Sequence, residues 1–206
     1  KKTHFKNIFL HGMVRDSKGQ KISKSKGNVI DPILMIDKYG ADALRATLIF
    51  GIKEGGDISL SEQKVIGMRN FINKIWNIGR FIEINYSHSG EESKTTTPES
   101  DSGQARMTLK KLEKEYKKEK KQYLKNMESY QFSKALGLVY EFIWHRFADY
   151  YIEQLKDEVI NGNIEALGKL KEVYLENLKM LHPFIPFVTE EVWGVFNKES
   201  ILLNKL

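Results

Sequence analysis

Apolar residues recur at helical spacing through most of this chain, in segments bounded by glycine, proline and polar turn residues. The longest opens at Ser61, where Val65, Met68, Phe71, Ile72, Ile75, Trp76, Ile78, Phe81 and Ile82 fall on one broad side of a helix. Further helices are predicted over 107–129, 131–157 and 164–181. Pro183 and Pro186 then turn the chain before a last short helix over 189–196. Before Ser61 the pattern differs. Asn7 to Val14 read Asn-Ile-Phe-Leu-His-Gly-Met-Val, a near-continuous apolar run of the kind that makes a buried strand. Asp16-Ser17-Lys18-Gly19 is a turn, after which Gln20 to Ser23 can pair back as a short strand. Asp31-Pro32 opens a helix, because Asp accepts orphan N–H groups and Pro suits the first helical position; Gly40 ends it. A second helix follows over 42–50, and Gly51, Gly55 and Gly56 mark a loop. The predicted class is mainly α: a short β/α segment over 1–60, then an antiparallel α-helical bundle over 61–206.

Ser87 to Gln104 carries no such pattern and almost no apolar residues, so it reads as a flexible connection within the bundle. It holds Glu91, Glu92, Glu99 and Asp101 against Lys94, a net −3. The chain as a whole is +6, so the remainder (+6 less −3) carries +9. A basic balance of this size favours a polyanionic partner. The helix from Met107 is crowded with Lys110, Lys111, Lys114, Lys117, Lys118, Lys120, Lys121 and Lys125, and a solvated face is the default reading of such a run. There is no cysteine, which excludes disulfides and thiolate metal sites and fits a reducing, cytoplasmic location. No apolar run approaches the roughly 18 residues that span a bilayer, so no membrane partner is expected. The chain does not begin with Met and reads as a piece of a longer protein.

The densest chemistry is Lys21-Ile22-Ser23-Lys24-Ser25-Lys26-Gly27-Asn28. Lysine ammoniums neutralise phosphate oxygens, while Ser and Gly keep a segment short-chained and mobile. That combination suits a loop closing over a triphosphate. A generic octamer of this composition is a solvated basic turn; here the order of residues says more. The helix from Ser61 also has more Asn than a helix interior favours. Asn70, Asn73 and Asn77 stand with Arg69, Lys74 and Arg80 between the apolar positions, so something other than helix propensity selects them. Trp76, Trp144 and Trp193 read as core packing, and His182 before Pro183 as a structural corner.

Lys-Ile-Ser-Lys-Ser, continued by Gly-Asn-Val-Ile-Asp-Pro, resembles the Lys-Met-Ser-Lys-Ser loop of class I aminoacyl-tRNA synthetases, with Ile22 apolar in place of the usual Met. Arg69-Asn70-Phe71-Ile72-Asn73-Lys74-Ile75-Trp76-Asn77 is similar to the segment that opens the anticodon-binding bundle of the valyl-tRNA synthetase family. So are the lead-in Gly56-Asp57-Ile58-Ser59-Leu60, the stretch Tyr140-Glu141-Phe142-Ile143-Trp144, and Leu181-His182-Pro183-Phe184-Ile185-Pro186-Phe187-Val188-Thr189-Glu190-Glu191-Val192-Trp193. The resemblance implies that residues 1–60 are the C-terminal end of a Rossmann-type catalytic domain and 61–206 an anticodon-binding bundle. It also implies an ATP-dependent ligase attaching valine to tRNA(Val) through a valyl-adenylate. Lys21 and Lys24 would be the catalytic pair. Lys21, Ile22, Ser23, Lys24, Ser25 and His11 would line the ATP site. Arg69, Asn73, Asn77 and Arg80 would meet the anticodon stem-loop. ATP would arrive with Mg2+, with no metal site in this chain, and the protein would be a monomer. The family's His-x-Gly-His loop and editing domain do not occur in the sequence, so the chain by itself is expected to be inactive. The alternatives are an isoleucyl- or leucyl-tRNA synthetase piece and a stand-alone tRNA-binding module.

Overall fold

The computed structural model describes residues 4–23, 25, 27–53, 55–92 and 103–204. Within them the chain is mainly helical, as the periodicity predicts. Strand β1 is only Val14–Arg15, paired in parallel with β2, Ile58–Ser59. Helices α1 (Pro32–Tyr39) and α2 (Ala41–Thr47) lie between them. The bundle follows: α3 Glu62–Glu92, α4 Gly103–Glu128, α5 Phe132–Glu141, a π-helical segment Phe142–Ile152, α6 Glu153–Ile160, α7 Ile164–Leu181 and α8 Pro186–Phe196.

The starts fall where capping chemistry puts them. Asp31 accepts from the Ile33 amide (2.8 Å) ahead of Pro32, and Asn163 accepts from Ala166 (3.0 Å) at the head of α7. Gly40, at φ 89°, lets α1 stop and α2 begin at once. The second helix is shorter than the sequence suggests, passing into turns after Thr47. The helix expected over 131–157 is a continuous run from Phe132 to Ile160 whose middle widens to π geometry. The connection expected over 87–104 is narrower: residues 87–92 continue α3 and 103–104 open α4, while 93–102 lie outside the described residues.

The core is the shared interior of α3, α4, α5, the π segment and α7, where Phe71, Ile75, Leu112, Tyr123, Leu136, Phe147, Tyr151 and Tyr174 are fully buried. Tyr174 donates to the Ile75 carbonyl (2.6 Å) and Tyr123 to that of Met180 (2.7 Å), so the buried hydroxyls tie helix to helix. Gly79 lets α3 approach α7 and α8: a Cβ there would lie 2.8 Å from Val192 and 3.0 Å from the Tyr174 hydroxyl.

The buried strand expected over 7–14 does not form. Ile8 and Leu10 are 78% and 73% exposed, and only Val14 enters a ladder. An apolar run signals burial but does not supply partner strands. Among the described residues, β2 is the one strand it pairs with, and β2 is two residues long.

Candidate nucleotide loop and RNA-binding face

A small base frames the described residues of the Lys21–Asn28 segment. Arg15 and Lys21 form an antiparallel bridge, and the Arg15 guanidinium pairs with Asp57, whose carboxylate also accepts from the Met13 amide (3.0 Å). Gly12 passes so close to Gly56 that a Cβ would overlap its carbonyl, which locks the approach of the two strands. Asn28 clasps the loop shut. Its side-chain oxygen accepts from the Ser23 amide (2.9 Å), and its NH2 donates to the Lys21 carbonyl (3.2 Å) and to Asp16 (2.9 Å). Asp16 also accepts from the Lys18 and Gln20 amides. The bond from Asn28, followed by those amides, holds its carboxyl below the usual range. Ser23 and Ser25 share a hydroxyl contact of 2.8 Å, Ile22 is half-buried, and Lys21 is exposed. The loop thus brings Lys21, Ile22, Ser23 and Ser25 together; Lys24 lies outside the described residues. His11 is exposed, with a ring nitrogen 2.9 Å from the carbonyl of its own neighbour Gly12. Among the described residues, no cluster of three or more His, Asp or Glu could hold a metal ion.

On α3, Asn73, Asn77 and Arg80 are exposed, share one side of the helix, and have no side-chain partner among the described residues. Arg69 is not their equal. It is half-buried with its guanidinium 5.7 Å from the Tyr39 ring, bridging α3 to α1. Trp76, expected in the core, is instead 37% exposed beside Asn73, Asn77 and Arg80. Its indole follows Ile75 by one residue, which rotates it about 100° off the buried stripe. Trp144 and Trp193 do pack inside: Trp144 stacks against Tyr140 and Phe71, and Trp193 is buried with its N–H on the Glu199 carbonyl. Across from Trp144, Lys74 pairs with Asp149 at 2.6 Å and lies over the indole.

A joint ties the loop-bearing half to the bundle. Asp42 on α2 accepts from the amides of Val188 (2.7 Å) and Phe187 (3.3 Å) in the first turn of α8. Arg45, one turn on, donates to the carbonyls of Phe184 (3.1 Å) and Pro183 (3.3 Å). Burial raises the Asp42 carboxyl against these bonds. His182 completes the corner through Thr189 (2.8 Å), and burial keeps its ring easier to deprotonate. Sequence reasoning singled out neither Asn28 nor Asp42. Their signal was slight: an Asn after Gly27, which sits at φ 66°, and an Asp in the first turn of a short helix.

Residues 1–61 match the profile of tRNA synthetases class I (I, L, M and V), and residues 110–206 that of the anticodon-binding domain of tRNA ligase. The fold and the loop therefore define a class I tRNA synthetase, seen from the end of its catalytic domain into its helical bundle. The chain is 43% identical over 195 residues to a valine--tRNA ligase of Geobacter sulfurreducens, covering 92% of this chain and 21% of the relative. It is 40% identical over 209 residues to that of Bradyrhizobium diazoefficiens, covering 98% and 21%. It belongs to the valine--tRNA ligase family and spans about a fifth of the length of these relatives. The fold matches an Agrobacterium radiobacter K84 LeuRS solved in ternary complex with tRNA and LeuAMS (TM-score 0.67, 22% identity, 93% of this chain and 22% of that one). It also matches a Mycobacterium tuberculosis methionyl-tRNA synthetase in complex with methionyl-adenylate (TM-score 0.68, 18% identity, 89% and 36%).

Proposed function

We propose that this chain serves an ATP-dependent valine--tRNA ligase by supplying its phosphate loop and its anticodon-reading surface. In the reaction, the valine carboxylate attacks the α-phosphorus of ATP and pyrophosphate leaves. Lys24, assisted by Lys21, stabilises negative charge on the departing phosphates, where a preorganised contact contributes on the order of 3–4 kcal/mol. The Mg2+ that accompanies ATP would neutralise phosphate charge, and no residue of this chain is assigned to it. Ile22 seats the loop, and Ser23 and Ser25 keep it narrow. The adenylate then passes its valyl group to tRNA(Val), whose anticodon loop meets the bundle.

The observation that carries this reading is the exposed face of Asn73, Asn77 and Arg80. Amides that both donate and accept suit the edges of unstacked bases, and Arg can fork onto or stack over them. Trp76 on the flank offers a stacking plane. Arg69 flanks that face while lying against Tyr39, and His11, exposed beside Gly12, is the proposed further contact to the nucleotide. The cytoplasm is where such a reaction is placed.

Two assays in the full-length protein test the reading. Lys24→Ala should slow valine-dependent pyrophosphate exchange by about a hundredfold or more with little change in valine affinity. Asn77→Ala and Arg80→Ala should impair charging of tRNA and flatten its dependence on anticodon sequence while leaving pyrophosphate exchange intact. If those two variants lower the thermal midpoint and keep anticodon discrimination, the face is structural.

A further inference from the structure

Helix α4 presents a second surface. Lys110, Lys114, Lys117, Lys118, Lys121 and Lys125 are all exposed, and at about 100° per residue they fall within an arc of about 100° over a length of about 22 Å. The opposite side carries Leu109, Leu112, Tyr116 and Tyr123 into the core, so the helix is fixed with this ridge outward. Of the six, Lys117 alone has an acidic partner among the described residues, Glu113 at 2.7 Å. The neighbouring helix α7 is built otherwise, with Lys169 on Glu172 and Lys179 on Glu176. Like charges three and four residues apart repel one another. A face selected only for solvation would interleave acids, as α7 does.

We infer that the α4 ridge is a docking track for the RNA phosphate backbone, separate from the base-reading face of α3. The inference rests on the proposed tRNA binding, since it takes the same molecule as occupant. The charge fits that partner: six ammoniums in a row match a polyanion of regular spacing, and their release of condensed counterions would drive binding without regard to base sequence. Lys111, over the Tyr150 ring, extends positive charge from the ridge towards the π segment that packs against α3, where the Arg146 guanidinium is already paired with Glu115 at 2.7 Å. The apolar side of α4 is consumed by the bundle, which leaves it no face to insert into a bilayer.

The test is the triple variant Lys114→Gln, Lys118→Gln, Lys121→Gln in the full-length protein. Its probes are a tRNA(Val) transcript and the same transcript with an exchanged anticodon, titrated between 50 and 200 mM KCl. The slope of log K against log salt should become shallower by about 2, at about 0.7–0.9 per lost phosphate contact. Both transcripts should weaken by the same factor, and the thermal midpoint should hold. A glutamate version of the triple should weaken binding further. An unchanged slope overturns the track, as does a changed preference between the two transcripts. A shallower slope in a protein that never distinguished the transcripts upholds the track and refutes the anticodon reading.

Discussion

Glu119 is the most exceptional single residue. It lies on the buried side of α4, 6% exposed, and neither carboxyl oxygen has a hydrogen-bond partner. Burial, with a smaller push from Glu115, raises its carboxyl to about 9, so it stays protonated at neutral pH. The folded protein then holds a proton that the unfolded chain releases above its ordinary carboxyl range. Stability from this group is fully present below that range and falls as pH rises towards 9. Glu119→Gln should therefore gain on the wild type as pH increases, by up to about 1.4 kcal/mol per pH unit between pH 5 and 9, read as the difference in thermal unfolding. Parallel pH profiles of the two proteins would contradict the assignment. Glu176 behaves oppositely. Burial would raise it, but Lys120, Lys179 and Tyr116 all donate to it and bring it to about 2. Its contribution is present above the ordinary carboxyl range and is lost as pH falls towards about 2. In the sequence Glu119 stands inconspicuously within the lysine-rich run of this helix. Its position on the stripe of Leu112, Tyr116 and Tyr123 was the available sign of burial.

At the scale of elements, two contacts set how helices meet. Gly79→Ala should lower stability by about 1–3 kcal/mol, because the added methyl has to displace Val192 and the Tyr174 hydroxyl where α3 meets α7 and α8. Denaturant unfolding with an unchanged m-value would register it. Asp42→Ala should cost about 1–2 kcal/mol by stripping the first turn of α8 of its acceptor, with Asp42→Asn milder. The helices were legible because a 3.6-residue apolar stripe and a capping Asp or Asn are local marks. The strand over 7–14 was misread because an apolar run states a need for burial and not who meets it. The Lys-Ile-Ser-Lys-Ser loop was legible from residue order. The Asn28 clasp was not, since a side chain closing a ring on residues five and seven back leaves no period to see. Trp76 left its expected place in the core because one step along a helix is a large rotation.

For the whole molecule, apolar surface is unevenly placed. Phe5, Ile8, Leu10, Val29, Ile33 and Leu34 are each more than half exposed within the short loop-bearing half, while Met107, Ile160, Ile164, Phe187, Leu202 and Leu203 are so exposed across the much longer bundle, so exposed apolar surface is denser on the first. Surface of that kind drives association. The 206-residue chain by itself should bind an apolar dye and self-associate, and Ile8→Ser with Leu10→Ser should reduce both without moving the unfolding midpoint of the bundle. Light scattering and dye fluorescence would decide it. The bundle also has a place to absorb changes of chain length. Adding or removing one residue in an α-helix turns everything downstream by about 100°. Between Phe142 and Ile152 the helix is already wound wide, with Lys74 holding one flank through Asp149 and Glu115 the other through Arg146. A one-residue deletion there can tighten the winding locally instead of swinging α6 and α7 out of phase, so the π segment works as slack in the bundle's gearing.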